Sequence, residues 1–104
     1  MFSYVVRCEF SDPAVCASWQ AWLVEEHCRD VCEAGALSGE IVRVDGDVLA
    51  LESRYVFASR EAFLKYESEH APRLRAEGLA KKGNDDVRFS RHTGEIILQQ
   101  TRSV

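Results

Sequence analysis

Two histidines in this 104-residue chain stand where acid–base chemistry could be done. His27 closes the run Trp19-Gln20-Ala21-Trp22-Leu23-Val24-Glu25-Glu26-His27, and His70 closes Tyr66-Glu67-Ser68-Glu69-His70. In both runs aromatic residues precede carboxylates and then an imidazole, the one side chain whose ordinary pKa lies close to neutrality. At 100° per residue Trp19, Leu23, Glu26, His27 and Asp30 fall on one helical stripe, so an apolar face turns polar toward its C-terminal end. Phe63, Tyr66 and His70 repeat that pattern. The expectation is a shared recess in which His27, His70 and Asp30 are candidate catalytic groups and Trp19, Glu26, Tyr66 and Arg73 candidate ligand-binding groups. The competing reading is plainer: both imidazoles hydrogen-bond to backbone or carboxylate groups near helix ends while packing against Trp19 and Tyr66.

Other chemistries find less support. His27, Asp30, His70, Cys28 and Cys32 are metal-ligand types, but Leu23 and Tyr66 stand where an H-x-x-E-H motif would need its other histidine. No metal is expected. Cys28 and Cys32, one turn apart, fall in this projection on the flank opposite Trp19, beside Ala17, Ala21 and Val24, which suits small-residue packing, and there is no C-x-x-C. A G-x-S-x-G elbow and a phosphate-cradling glycine loop are both missing, so no cofactor is implied. Arg73, Arg75, Lys81 and Lys82 read as a solvated basic face beside Glu77, Asp85 and Asp86, with Arg73 near enough to His70 to take an anionic ligand group.

The elements that must position these residues follow from periodicity. Residues 2–10 alternate Phe2, Tyr4, Val6, Cys8 and Phe10 against Ser3, Val5, Arg7 and Glu9, the period of a strand. Ser11-Asp12-Pro13 then opens a helix that runs to about residue 34, where Gly35 supplies a stop. Strands over 36–44 and 47–57 flank the Asp45-Gly46 hairpin pair. Ser59 caps a second helix over 60–70, Pro72 ends or kinks it, a short helix follows over 72–80, Gly83-Asn84-Asp85-Asp86 turns the chain, and a last strand covers 87–99. The order β-α-β-β-α-β predicts a single α+β domain, 1–104, of the ferredoxin-like class: a four-stranded antiparallel sheet with both helices on one face.

Such a sheet leaves its other face bare, and here Val5, Val42, Val44, Val48, Ala50 and Val56 would lie on it. Adjacent apolar side chains on an open face predict a homodimer packed sheet against sheet. Thirteen Lys and Arg against seventeen Asp and Glu give a net charge of −4, which provides no electrostatic drive toward nucleic acid or anionic membranes. The N-terminal residues lack a basic segment followed by an apolar one, so a cytoplasmic location is expected, with the four cysteines reduced.

Over nearly its whole length, and most specifically at Trp19-Gln20-Ala21-Trp22 with His27 and at Glu69-His70-Ala71-Pro72-Arg73-Leu74-Arg75, the chain resembles a bacterial family known only as a domain of unknown function. The resemblance implies a ferredoxin-like protomer of the dimeric α+β barrel group, which includes cofactor-free monooxygenases of the antibiotic-biosynthesis type and small lactone isomerases. It implies Trp19, His27, Asp30, His70, Pro72 and Arg73 as site positions, and no activity. Two functions are therefore carried forward. One is a homodimer that binds a small organic molecule between helices and sheet, with cofactor-independent acid–base or monooxygenase-like chemistry. The other is a non-catalytic interaction or structural module.

Overall fold

The computed structural model describes residues 1–82, apart from the side chain of Lys82, and residues 86–103. Alternating apolar residues form β1 (Phe2–Phe10), β2 (Ser38–Val44), β3 (Leu49–Phe57) and β4 (Val87–Glu95), paired antiparallel in the order β2-β3-β1-β4. Tyr4 lies opposite Tyr55, Cys8 opposite Leu51 and Phe89, and Val6 opposite Arg91, and this register turns one face toward the helices. The chain has the expected ferredoxin-like arrangement. β4 stops at Glu95, short of the expected residue 99, although the Ile96 N–H still donates to the Met1 carbonyl. Three residues of the expected turn, 83–85, lie outside the described residues.

Helix α1 (Pro13–Trp22) starts where Asp12 accepts a hydrogen bond from the Ala14 N–H, with proline at a position that needs no donor. It then widens into a π-helical turn, Leu23–His27, before continuing as α2 (Cys28–Glu33), and Gly35 at φ +142° ends it. The wide turn corrects the uninterrupted helical projection. One additional residue per turn rotates everything downstream, so Cys28 and Cys32 pack against the core cluster containing Val31 and Tyr55, while Ala17, Ala21 and Val24 are exposed. Gly39 of β2 makes room for this, since a Cβ there would lie 2.8 Å from the Cys28 sulfur and 2.9 Å from the Tyr55 ring.

Ser59 caps α3 (Arg60–Glu69) by accepting from the Ala62 N–H at 3.0 Å. His70 leaves helical geometry, and the chain enters α4 (Ala71–Lys82) with Pro72 in its first turn, where proline is tolerated. The segment after Pro72 is thus a full three-turn helix, longer than expected.

Val5, Val42, Val44, Ala50 and Val56 do share the face away from the helices, as the register requires, whereas Val48 sits just before β3 and is exposed. A row of charges crosses that face: Arg7 pairs with Glu9 at 2.8 Å and Glu52 at 3.0 Å, and Glu52 also pairs with Arg54 at 2.9 Å. The outer face is a mixture of valine and ion pairs. His92, opposite Val5 in the register, lies on it as well. Among the described residues no helix is long and apolar enough to cross a membrane.

Candidate functional site

A recess of about 280 Å³ opens between the helices and the helix-facing side of the sheet. Its floor is Tyr4, Val6 and Cys8 of β1 with Ser53 and Tyr55 of β3. These are successive inward positions of two paired strands, so the alternation that builds the core also builds the floor.

One wall is aromatic and comes from α1 and the wide turn. Trp19 meets Trp22 edge to face at 5.6 Å, Phe89 of β4 meets Trp19 at the same distance, and the His27 ring stacks on Trp22 at 4.4 Å. His27 reaches Trp22 because the wide turn brings them into line; π-turns of this kind recur at functional sites. Burial pushes the His27 pKa down, against the smaller opposing pull of Asp30 and Glu77, so the imidazole is neutral at pH 7. The opposite wall is α4. Gly78 packs directly on Trp22, where a Cβ would come within 2.7 Å of the indole.

The third side is polar. Arg75 of α4 and Arg91 of β4 both line the recess and both donate to the Tyr4 hydroxyl, at 3.5 and 3.3 Å. Both also donate to one oxygen of Glu67, at 2.6 and 3.0 Å. Burial would raise the Glu67 carboxyl, but the hydrogen bonds from Arg75 and Arg91 prevail and hold it below the ordinary range, so it is ionised.

Three buried donors finish the site. Trp19 Nε1 and Trp22 Nε1 are buried with no hydrogen-bond partner in the protein, the Tyr55 hydroxyl makes no hydrogen bond of good geometry although Ser53 lies close enough to act on it, and all three residues line the recess. Burial raises the Tyr55 pKa, so its hydroxyl keeps its proton. Unpaired buried donors cost about 1–3 kcal/mol each. Each such group calls for a reason, and several around one hollow make it a place where a hydrogen-bond acceptor would be stabilised.

Of the residues singled out from sequence, the structure brings Trp19, His27 and Tyr66 to the recess and not the others. Asp30 bears on it only through its charge on His27, and Glu26 is held by Lys81 at 3.0 Å. His70 does not join His27. It sits at the break between α3 and α4, its N–H bonded to the Tyr66 carbonyl and its Nδ1 3.3 Å from Arg73 Nη2, and the expected convergence of the two imidazoles does not occur. The reason is the break: the helix ends before His70, so the ring leaves the stripe of Phe63 and Tyr66. Arg75, assigned to the basic face, belongs to the recess, and Arg91 was missed. The signal for Arg91 was available, since it alternates in phase with Val87 and Phe89 and must face inward. Among the described residues no group of three or more His, Cys, Asp or Glu could hold a metal ion.

Solved structures share this architecture. A dimeric ferredoxin-like protein from an uncultured marine organism superposes with a TM-score of 0.76 at 15% identity, covering 98% of this chain and 100% of that one. A second from an uncultured marine organism, also described as dimeric, gives 0.70 at 14% identity over 95% and 97%. A monooxygenase of Streptomyces coelicolor, determined in complex with the ligand nanaomycin D, gives 0.64 at 15% identity over 96% and 92%. At these identities the likeness is one of fold. No curated protein matches the chain. The sequence does match a family model over residues 1–96, and with that match the chain belongs to the family described as a domain of unknown function, DUF4286.

Proposed function

We propose that this protein binds a small planar organic molecule in the recess, acting as a homodimer joined through the open sheet face. The observation that carries the reading is the set of unpaired buried donors, Trp19 Nε1, Trp22 Nε1 and Tyr55 OH, around a hollow of about 280 Å³. Ligand clefts run from roughly 300 Å³ upward, so this one suits one or two fused rings. Flat walls of Trp22 and Phe89 favour a planar occupant.

In this reading His27 is both a stacking surface and a base. A neutral imidazole against the ligand can take a proton from an acidic phenol or enol, the step that would begin cofactor-independent chemistry. A Streptomyces coelicolor monooxygenase of the same fold was determined with nanaomycin D bound, and that likeness supports the reading by analogy. His70 and Arg73 are assigned to holding the α3–α4 junction. The homodimer rests on the valines of the outer face and on the dimeric description of the marine relatives. A cytoplasmic setting agrees with four free thiols.

The chain has only two tryptophans, both in the recess, so their two indole N–H signals in a ¹⁵N-correlated NMR spectrum report occupancy directly. A panel of one- and two-ring aromatic acids, amides and phenols should contain members that move both signals and raise the melting temperature. His27→Ala should weaken that binding about tenfold through lost stacking, and His70→Ala should leave it unchanged. Indole signals that stay fixed across the panel would remove the binding function.

A further inference from the structure

The charges around the recess do not cancel. Arg75 and Arg91 carry one positive charge each at any physiological pH. They share a single carboxylate, both bonding the same Glu67 oxygen, and Glu67 itself does not line the recess. His27 is uncharged when buried against Trp22. The lining thus carries about one uncompensated positive charge, on two half-exposed guanidiniums beside the Tyr4 hydroxyl. Tyr4 already accepts from both arginines, so its own proton is free to be donated to a third group.

The donor inventory points the same way. The two guanidiniums, the Tyr4 and Tyr55 hydroxyls and the two indole N–H groups all offer hydrogens, whereas Glu67, the nearby carboxylate, gives one oxygen to both arginines, keeps its second oxygen buried without a partner, and does not line the recess. A neutral hydrocarbon would leave the two indole N–H groups and the Tyr55 hydroxyl unmet and the excess positive charge unanswered. The occupant must instead be rich in acceptors and negative at one end.

We propose that the recess takes an aromatic monocarboxylate, its carboxylate seated between Arg75, Arg91 and the Tyr4 hydroxyl and its ring lying among Trp19, Trp22 and Tyr55. Guanidinium forks match carboxylate geometry, and a carboxylate brings four lone-pair sites to a place that has donors to spare. The half-exposed position of the arginines puts the charged end at the solvent side and the ring at the buried aromatic side. This identification rests on the recess being a binding site.

The test compares 2-naphthoate with 2-naphthamide, a pair of nearly equal shape that differs by one charge, against the 104-residue chain at pH 7. Both should shift the Trp19 and Trp22 indole signals, and the acid should bind at least about tenfold tighter. That preference should shrink as sodium chloride rises, while the amide stays indifferent to salt, because half-exposed charges are screened. Arg91→Gln and Arg75→Gln should each remove most of the preference, and if either variant fails to fold the salt titration of the unmodified protein stands in its place. Equal affinity for acid and amide, with the indoles still shifting, would overturn the carboxylate assignment alone and leave the recess a binding site. Naphthoate binding that leaves both indole signals in place would put the anion at another surface and overturn the assignment too. If neither compound moves the indoles, the binding site and the assignment fall together.

Discussion

Gly78 tests whether α4 truly rides on the aromatic wall. In Gly78→Ala the new methyl group would sit 2.7 Å from the Trp22 ring edge and 3.3 Å from two further ring atoms. To reach the 3.4 Å at which ordinary contact begins it must open by about 0.7 Å. Trp22 has little freedom to yield, being held edge to face by Trp19 and face to face by His27. Overpacking of this kind costs about 1–3 kcal/mol. Against it stands the helix propensity of alanine over glycine, about 1 kcal/mol in favour of the variant. The expected balance is a loss of about 1 kcal/mol, which for a domain of this size lowers the melting temperature by about 4–8 °C. The displaced helix should also shift the Trp22 indole signal. Ala80→Gly, at an exposed position of the same helix, calibrates the propensity term and should cost about 1 kcal/mol by itself. If Gly78→Ala melts higher than the parent and the Trp22 signal does not move, propensity acts unopposed and α4 does not rest on the indole.

Three further outcomes are expected. The folded-state pKa of His27 lies below the ordinary 6.5, so the unfolded chain binds the extra proton first; its contribution to stability is intact above pH 6.5 and is lost as pH falls toward the folded value. His27→Gln should therefore lose less melting temperature between pH 7 and pH 5 than the parent, and an equal loss would contradict the burial argument. Val42→Glu, on the outer face of β2, should convert a sedimenting dimer to a monomer with little change in far-ultraviolet circular dichroism, whereas an unchanged dimer would move the interface elsewhere. Iodoacetamide at pH 8 should label Cys28 and Cys32 before Cys8 and Cys16, because Cys8 is buried with its thiol pushed up to about 12 and Cys16 is buried beside it; mass spectrometry showing Cys8 labelled first would refute the packing of that strand.

The strand order was legible because β1 alternates from Phe2 to Phe10 with Val5 as its one apolar residue on the outer side, and because Pro13, Gly35, Asp45-Gly46 and Ser59 mark the element ends in the places where backbone chemistry needs them. The aromatic side of the recess was legible for the same reason: Trp19 and Tyr66 share the spacing of residues that pack on a sheet. Its polar side was not. Arg75 looked like one of several surface bases, and only a tertiary contact with Tyr4, seventy-one positions away, makes it part of a site. The wide turn at Leu23–His27 was also invisible, since a helical projection assumes one constant period and a single five-residue turn breaks it without any glycine or proline to announce it. The same assumption misplaced Cys28 and Cys32 and put His70 on a stripe that ends one residue before it.

That wide turn divides one long helix into two halves with separate duties. The first half presents its indoles to the hollow, and the second presses Val31 and Cys28 into the cluster beneath β2 and β3. Because the phase is reset between them, residues at 19 and 22 can change to suit a different occupant without disturbing the packing at 28 and 31. Deleting a single residue between 23 and 27 would do the reverse: the helix would become regular, the downstream half would turn by about a quarter of a circle, and the chain would keep its recess only by giving up its foundation, or the foundation by giving up the recess.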